Sequence, residues 1–524
     1  MIEWLAARPW GLRASLAVAS GVLTALGFQP FGWWVLTPVG VAGLTIAVLS
    51  AGHVRGATLL GFAWGVGFLT LGVGWMRVIF VEAMVGLVVV EALFYAALGA
   101  LIKVAARTRW WPLLAAASWT AIEFTFARFP FNGFGWMRLG FAMVASPLAW
   151  VLPLVGVAGL GFVTALIAQG GVWLAVAPSR ARGLVVAATA VGVALLAVGG
   201  ALVPVGPQTG AVNVGWVQGG APGGGVYGLG EPRTITRNHV AEAGRLADRV
   251  AAGEVARPDV VVFPENTTDM DPHNDPQTGL LMRSALARLG VPILFGVILD
   301  GPGVDERQTA SLWWDPVGGE QARYVKRGIV PFGEWVPLRS LLLPLVPELA
   351  YVGAQSVPGT VPGALPVTLA DGRRLTLAVM VCYDLVYDDF AYDTVRYGGQ
   401  VSVVQSSNAM YQGTGQIEQQ FAITRARALE LRREMLVVTT SGVSGLIRAD
   451  GSVAFTAPEH VGASGVLTLP ERSGLTPATW LATPLELAIT VLAGLGLLAS
   501  LAWGRMNRSA SATGAENDRL DSVA

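Results

Sequence analysis

The chain reads as a polytopic α-helical membrane protein, with about eight transmembrane helices and one inserted α/β layered domain. Three observations carry that expectation. Hydrophobic residues make up 53% of the 524 positions and charged ones only 13%, a balance that suits an integral membrane protein. Stretches long enough for the roughly 20 apolar residues of a span crowd into positions 1–205 and recur once near 480–503. Between them, from Ala211 onward, short β-like runs alternate with helical or turn-rich stretches, the pattern of a layered α/β fold.

Taken in order, helices are expected near 10–27, 33–51, 57–76, 83–103, 110–127, 148–177, 183–204 and 480–503. The first is not a cleaved signal peptide, because a hydrophobic array follows it without a small-residue cleavage site. The segment 129–146 is read as a loop dipping into the interface. Arg8, Arg13, Arg55, Lys103, Arg107, Arg109, Arg180, Arg182, Arg505 and Arg508 all fall on one side of an eight-span arrangement. The other side holds Arg77, Arg128 and Arg138 in its short loops. Positive-inside bias then puts both termini in the cytoplasm and residues 207–476 outside the cytoplasmic membrane. The expected units are a bundle of seven spans over 1–206, the domain over 207–476, an eighth span over 477–504 and a disordered tail over 505–524. A formal net charge of zero excludes a nucleic-acid binder, which needs a basic excess.

Within the inserted domain, strands are expected near 211–218, 259–263, 292–297, 311–315, 323–326, 375–381, 401–405, 435–439 and 445–448. Helices are expected over 236–251 and 416–431, the latter with Ala422, Ala426 and Leu429 on one face. Three chemically able residues follow or close β-like runs. Cys382 is the only cysteine, so it forms no internal disulfide and no thiolate cluster. In an oxidising compartment a free thiol is easier to explain as a working group than as a bystander. Lys326 is one of two lysines in an arginine-rich chain, kept where a compact ammonium is wanted. Glu265 ends the run Val260-Val261-Val262-Phe263-Pro264. Taken singly, each has a plainer reading: a small buried hydrophobe, a solvated cation and a strand-closing surface carboxylate. Together a carboxylate, an amine and a thiol are the material of nucleophilic acyl chemistry.

The order Phe263-Pro264-Glu265, Lys326, Val381-Cys382-Tyr383-Asp384 resembles the Glu–Lys–Cys pattern of the nitrilase, or carbon–nitrogen hydrolase, superfamily. Such a domain held between the seventh and eighth of eight spans resembles the apolipoprotein N-acyltransferase family. Pro30-Phe31-Gly32-Trp33-Trp34, Asn132-Gly133-Phe134-Gly135-Trp136, Trp216-Val217-Gln218-Gly219, Pro331-Phe332-Gly333-Glu334-Trp335-Val336-Pro337 and Arg425-Ala426-Arg427-Ala428-Leu429-Glu430 agree with it. The likeness covers roughly residues 10–503. It implies a nitrilase-like αββα sandwich in a bacterial inner membrane. The implied reaction moves an acyl chain from a phospholipid, with phosphatidylethanolamine the expected donor, to the α-amino group of a lipoprotein's diacylglyceryl-cysteine. It passes through a thioester on the cysteine and needs no cofactor. A monomer suffices, since one chain carries all three groups.

By role, Cys382 is the expected nucleophile, Glu265 the base and Lys326 the cation for the oxyanion. Glu334 matches a family acid that supports the lysine; its plainer reading is a turn carboxylate. Tyr383 and Asp384 are expected to supply a backbone N–H to the oxyanion, or bonds behind the reacting groups. The family usually has glutamate where Asp384 stands. Where the family carries a lipid-touching tryptophan this chain has Gly220-Ala221-Pro222-Gly223-Gly224-Gly225-Val226-Tyr227, with Tyr227 as the stand-in. The family's asparagine–aspartate–aromatic turn becomes Asn408-Ala409-Met410-Tyr411. Trp335, Leu338 and Leu342 are expected lipid contacts in a lid over 335–352, for which packing against the bundle is the alternative. Trp33, Trp34, Trp75, Trp110, Trp111, Trp136 and Trp480 are read as interfacial anchors. His53, His239, His273 and His460 share no metal-ligand spacing. Two rivals remain: a membrane-anchored amidase using the same three groups with water as acceptor, and a non-catalytic scaffold.

Overall fold

The computed structural model describes residues 1–225 and 228–521, with side chains up to residue 502. The first part is a helical bundle of α1 (Ile2–Ala6), α2 (Trp10–Ala25), α3 (Leu36–Ser50), α4 (Val54–Gly72), α5 (Val81–Ala105), α6 (Trp111–Phe126), the short α7 (Leu139–Ala142), α8 (Leu152–Val176) and α9 (Arg180–Ala201). Small residues let these helices close on one another, as apolar surroundings require. A Cβ at Gly61 of α4 would lie 2.1 Å from the Tyr95 carbonyl oxygen of α5, and one at Gly99 would lie 2.3 Å from the Ala57 carbonyl oxygen. Trp64 fills the centre against Phe68, Tyr95 and Trp119.

All eight expected helices are present, but they are not equally long. Five stretches among the described residues are long and apolar enough to cross a membrane: α4, α5, Pro147–Val176, α9 and Ala478–Ala502. α2, α3 and α6 have 16, 15 and 16 residues. At a rise of about 1.5 Å per residue, 16 residues span ~24 Å, less than a hydrocarbon core of ~30 Å. The segment expected as an interfacial loop divides: Phe129 and Phe131 are exposed, while Trp136, Met137, Leu139 and Phe141 fold inward and are buried.

The second part holds β1 (Gln208–Gln218), α10 (Thr234–Ala251), β2 (Val260–Val262), α11 (Pro276–Leu289), β3 (Ile293–Asp300), β4 (Glu306–Asp315), β5 (Gly319–Val325), α12 (Arg339–Leu342), β6 (Gln355–Ser356), β7 (Ala364–Thr368), β8 (Arg374–Val381), α13 (Asp388–Arg396), β9 (Val401–Ser406), α14 (Gln416–Leu431), β10 (Met435–Thr439), β11 (Gly445–Ile447), β12 (Val453–Thr456) and β13 (Ala463–Arg472). α15 (Ala478–Asp521) follows and stays helical through positions expected as a tail. Pro484 is its only proline, in the first turns, so nothing later in the helix removes a backbone N–H.

Two sheets form. One has the order β13-β1-β2-β3-β4-β5, with β6 beside β4, and the other the order β12-β11-β10-β9-β8-β7. Their central strands, β1-β2-β3 and β8-β9-β10, are parallel. Such strands are buried on both faces and therefore read as unbroken apolar runs. Alternation then sorts the second sheet's side chains. Leu377, Val379, Val381, Val403, Leu436 and Val438 face the first sheet. Met380, Val404, Met435 and Val437 face α13 and α14 and join the core of the bundle itself. α10 and α11 cover the outer face of the first sheet. The layers are thus helix, sheet, sheet, helix, with the last helical layer seated on the bundle.

A buried ion ladder crosses that seat. Glu486 of α15 accepts from Arg128 at 2.7 Å and from Arg138 at 2.9 Å. Arg138 also donates to Asp388 of α13 at 2.9 Å, and Asp388 accepts from Arg427 of α14 at 2.7 Å. Arg427 reaches Glu430 at 2.5 Å, and Glu430 in turn accepts from the Val157 backbone N–H of α8 at 3.1 Å.

Candidate active site

The three proposed reacting groups lie where strands give out. β2 ends before Pro264, which has no N–H for the ladder, and the chain leaves the sheet at Glu265. Lys326 follows β5, still held to β4 by its N–H on the Thr309 carbonyl at 2.9 Å. Cys382 follows β8 with φ 49°, a left-handed conformation that strains a residue with a Cβ, and opens a single 3-10 turn over Cys382–Val386. Glu265 and Cys382 thus lie at the ends of parallel strands, where α/β folds gather functional side chains, while Lys326 follows an antiparallel edge strand.

The structure brings Glu265, Lys326, Glu334 and Cys382 together. Lys326 Nζ donates to Glu265 Oε1 at 2.9 Å and to Glu334 Oε1 at 2.9 Å. Each carboxylate is fixed from behind. Glu265 Oε2 accepts from the Ser407 N–H at 2.9 Å, and Glu334 Oε2 from the Val330 N–H at 2.8 Å. Burial pushes the Lys326 ammonium toward its neutral form, but Glu265 and Glu334 outweigh it and hold the proton well above the usual lysine range. The Cys382 thiol is also pushed up, which for sulfur favours the neutral form. Burial raises it first, Glu265 adds to that, and Lys326 only partly offsets them. The sulfur therefore rests as a neutral thiol.

Asp384 has a definite place. Its Oδ1 accepts from the Gly328 N–H at 2.7 Å, and its Oδ2 from the Val381 N–H and the Tyr324 hydroxyl, each at 2.9 Å. The shorter acid thus ties the cysteine turn to the segment just after Lys326. Burial lifts its carboxyl above the ordinary range despite these donors. Tyr383 does not face the reacting groups with its ring. It is stacked on Phe134 and Trp136 of the bundle, and its hydroxyl meets the Gly133 carbonyl at 3.3 Å.

The lid residues divide. Trp335 packs edge-on to Phe131 of the bundle. Leu342 joins a small cluster with Val336, Leu349 and Val352, while Leu338, Leu341 and Leu345 are 60–72% exposed. Tyr227 lies outside the described residues. Of the seven tryptophans read as anchors, Trp33, Trp110 and Trp480 are exposed, whereas Trp111 is buried. Trp75 and Trp136 are not anchors, because both indole N–H groups donate to Gln419 Oε1, at 2.9 and 2.8 Å. Gln419 Nε2 donates to the carbonyls of Gln29 and Gly72, at 3.0 and 2.9 Å. Beside this floor is a cavity of about 640 Å³ lined by Gln29, Trp75, Arg77, Gln412 and Gln419. Among the described residues no group of three or more His, Cys, Asp or Glu side chains is placed to hold a metal.

Sequence reasoning missed Gln420, whose Nε2 lies 3.4 Å from Cys382 Sγ. It also missed Ser406 and the Ser407 N–H, which line the same wall. The only signal was that three glutamines, 416, 419 and 420, crowd the start of a helix whose apolar face was already assigned.

Residues 20–170 match the apolipoprotein N-acyltransferase N-terminal domain, and residues 238–468 match carbon–nitrogen hydrolase. The chain is 31% identical over 508 residues to the apolipoprotein N-acyltransferase of Mycolicibacterium smegmatis, covering 92% of this chain and 84% of that one. With the apolipoprotein N-acyltransferase of Photobacterium profundum it shares 25% identity, over 90% of this chain and 91% of the relative. An amidase of solved structure from Nesterenkonia sp. is 16% identical over 54% of this chain and 98% of its own, at a TM-score of 0.37, too loose a likeness to bear on function. Matches to both halves, and a relative similar along nearly the whole length, place the chain in the apolipoprotein N-acyltransferase family.

Proposed function

We propose that this chain N-acylates lipoproteins in two steps through a thioester on Cys382, with Glu265 as base and Lys326 as oxyanion cation. The observation that carries the reading is the buried cluster of Glu265, Lys326 and Glu334 around one thiol, built directly on an apolar bundle. Glu265 takes the Sγ proton as sulfur attacks the ester carbonyl of a phospholipid, phosphatidylethanolamine being the expected donor. Lys326 balances the charge on the tetrahedral oxygen. Collapse expels the lysophospholipid oxygen, which leaves with the proton held by Glu265. In the second step the α-amino group of a diacylated lipoprotein attacks the thioester, Glu265 takes the amine proton, and the sulfur departs with the C–S electron pair and recovers that proton. Glu334 keeps Lys326 charged and aimed throughout.

The arginine distribution favours cytoplasmic termini and a catalytic domain over about 207–476 on the outer face of a bacterial inner membrane. In that setting the exposed Leu338, Leu341 and Leu345 would meet acyl chains, and the cavity beside Gln419 is the route we assign to the donor. One chain supplies every group, so we assign a monomer. An anchored amidase has no use for a core shared between α14 and the bundle.

Intact-protein mass spectrometry after incubation with phosphatidylethanolamine tests this. We expect a hydroxylamine-labile acyl adduct on Cys382 that a diacylated lipopeptide discharges and that the Cys382→Ser variant lacks. Absence of the adduct, with turnover of small amides instead, would overturn the lipid reading.

A further inference from the structure

Gln420 sits on α14 between the nucleophile and the bundle, and each polar position of its side chain is engaged. One N–H of its amide points at Cys382 Sγ, 3.4 Å away, and the other at Ser406 Oγ, 3.1 Å away. Its Oε1 accepts from Asn408 Nδ2 at 2.5 Å, and the same Nδ2 reaches Gln416 Oε1 at 2.9 Å. An amide nitrogen only donates, so Asn408 fixes which end of Gln420 faces the sulfur. Ser406, Asn408 and Gln420 are all buried, at 1%, 5% and 3% exposure, so water cannot replace these bonds. The neighbouring Gln419 spends both ends of its side chain on the bundle. The helix is thereby held in register one residue from the thiol contact.

We propose that Gln420 is a further catalytic residue, whose side-chain N–H stabilises the Cys382 sulfur as it becomes anionic. This rests on Cys382 being the nucleophile. When Glu265 takes the Sγ proton, charge grows on sulfur and the N–H···S bond strengthens, with no bond to Gln420 made or broken. When the amine expels the sulfur in the second step, the C–S electron pair returns to sulfur and the same N–H receives it. The amide thus serves the attacking and the leaving thiolate alike. Buried carboxylates on one side of the sulfur disfavour its anion, and Lys326 and Gln420 are the two groups that oppose them. The turn Asn408-Ala409 keeps the asparagine, and that side chain is the one that aims Gln420.

The test uses full-length protein carrying Gln420→Met or Gln420→Glu, the second keeping an acceptor for Asn408 while removing the donor to sulfur. Gln420→His restores a donor. The readouts are the pH profile of Cys382 alkylation by iodoacetamide, the rate of acyl-adduct formation from phosphatidylethanolamine, and the apparent KM for that lipid. In both donor-less variants the alkylation midpoint should rise by about one unit. Adduct formation and discharge should each slow ~10- to 100-fold, with KM changed less than ~3-fold. Gln420→His should recover at least part of both. Folded Gln420→Glu with an unshifted midpoint and wild-type half-reaction rates would overturn the proposal and leave Gln420 as packing. An acyl adduct in Cys382→Ala would instead overturn the nucleophile assignment itself.

Discussion

The two outer helical layers of the catalytic domain hold equivalent positions on their sheets and are built on opposite terms. α10 buries Ile235, Thr236, His239, Glu242, Ala243, Gly244 and Leu246 on one side and leaves most of the other side open. α14 buries 13 of its 16 residues, among them Gln416, Gln419, Gln420, Arg427 and Glu430. A helix in water keeps its polar side chains for solvent. A helix between a sheet and a membrane bundle must find every one of them a protein partner. Position in the layer order, rather than sequence polarity, therefore decides what a glutamine or arginine does here.

The sharpest way to break this comparison is to remove one charge from each layer. Arg427→Ala leaves Asp388 and Glu430 buried without their shared cation. It should destabilise the protein by about 3–5 kcal/mol, seen as lost expression or a large fall in the thermal unfolding midpoint in detergent. Arg288→Ala removes an exposed pair with Asp248, 52% and 72% accessible, and should change that midpoint by the equivalent of less than ~1 kcal/mol. Equal effects would erase the distinction.

The water-facing layer has its own weak point, His239, fully buried with its Nε2 unpartnered and held down to about 4 by burial. Unfolded, its pKa returns to about 6.5, so the unfolded chain binds the extra proton first as pH falls. Its contribution is intact above pH 6.5 and shrinks progressively down to pH 4, by up to about 3 kcal/mol. Unfolding midpoints measured from pH 7 to pH 4 should fall, and His239→Gln should flatten the acid limb. An identical slope in the variant would assign the loss to other groups.

Next in size is Gln419→Leu, which strands two indole N–H groups and two carbonyls at the bundle surface. About 2–3 kcal/mol of stability should go with it, along with slower acyl-adduct formation from a loosened α14. The smallest effect expected is at Leu338, exposed at the lid. Leu338→Ser should leave the unfolding midpoint within ~0.5 kcal/mol of wild type while raising the apparent KM for phospholipid.

Much of this was legible in the sequence because apolar runs and strand ends announce themselves. The central parallel strands stand out as valine-rich runs, and Glu265 and Cys382 each follow one, whereas Lys326 follows the antiparallel edge strand β5 and stood out by the rarity of lysine. Glu334 and Asp384 were legible only through resemblance, since a carboxylate in a turn looks the same whether it braces a lysine or faces water. β13 escaped because Gly465, Pro470 and the charges at its end mimic a loop, although the strand pairs along its length with β1. Gln420 and Gln419 escaped because periodicity marks the apolar face of a helix and says nothing about a second buried face. Of the eight expected spans, five are long and apolar enough by themselves, because hydropathy windows merge the shorter helices α2, α3 and α6 with the apolar turns around them.

The ion ladder also carries a constraint on timing. Arg128 and Arg138 leave the ribosome some 350 residues before Glu486, the acid they share. Until that carboxylate arrives, Arg138 has Asp388 and the nearby Glu123 to oppose its charge, and Arg128 lacks its partner. Docking of α15 therefore supplies the last acid of a ladder that joins the bundle to α13 and α14. A chain interrupted before that helix would leave Arg128 without its partner acid and Arg138 with one acid fewer, beneath a domain still seated on the bundle through the core it shares with α14.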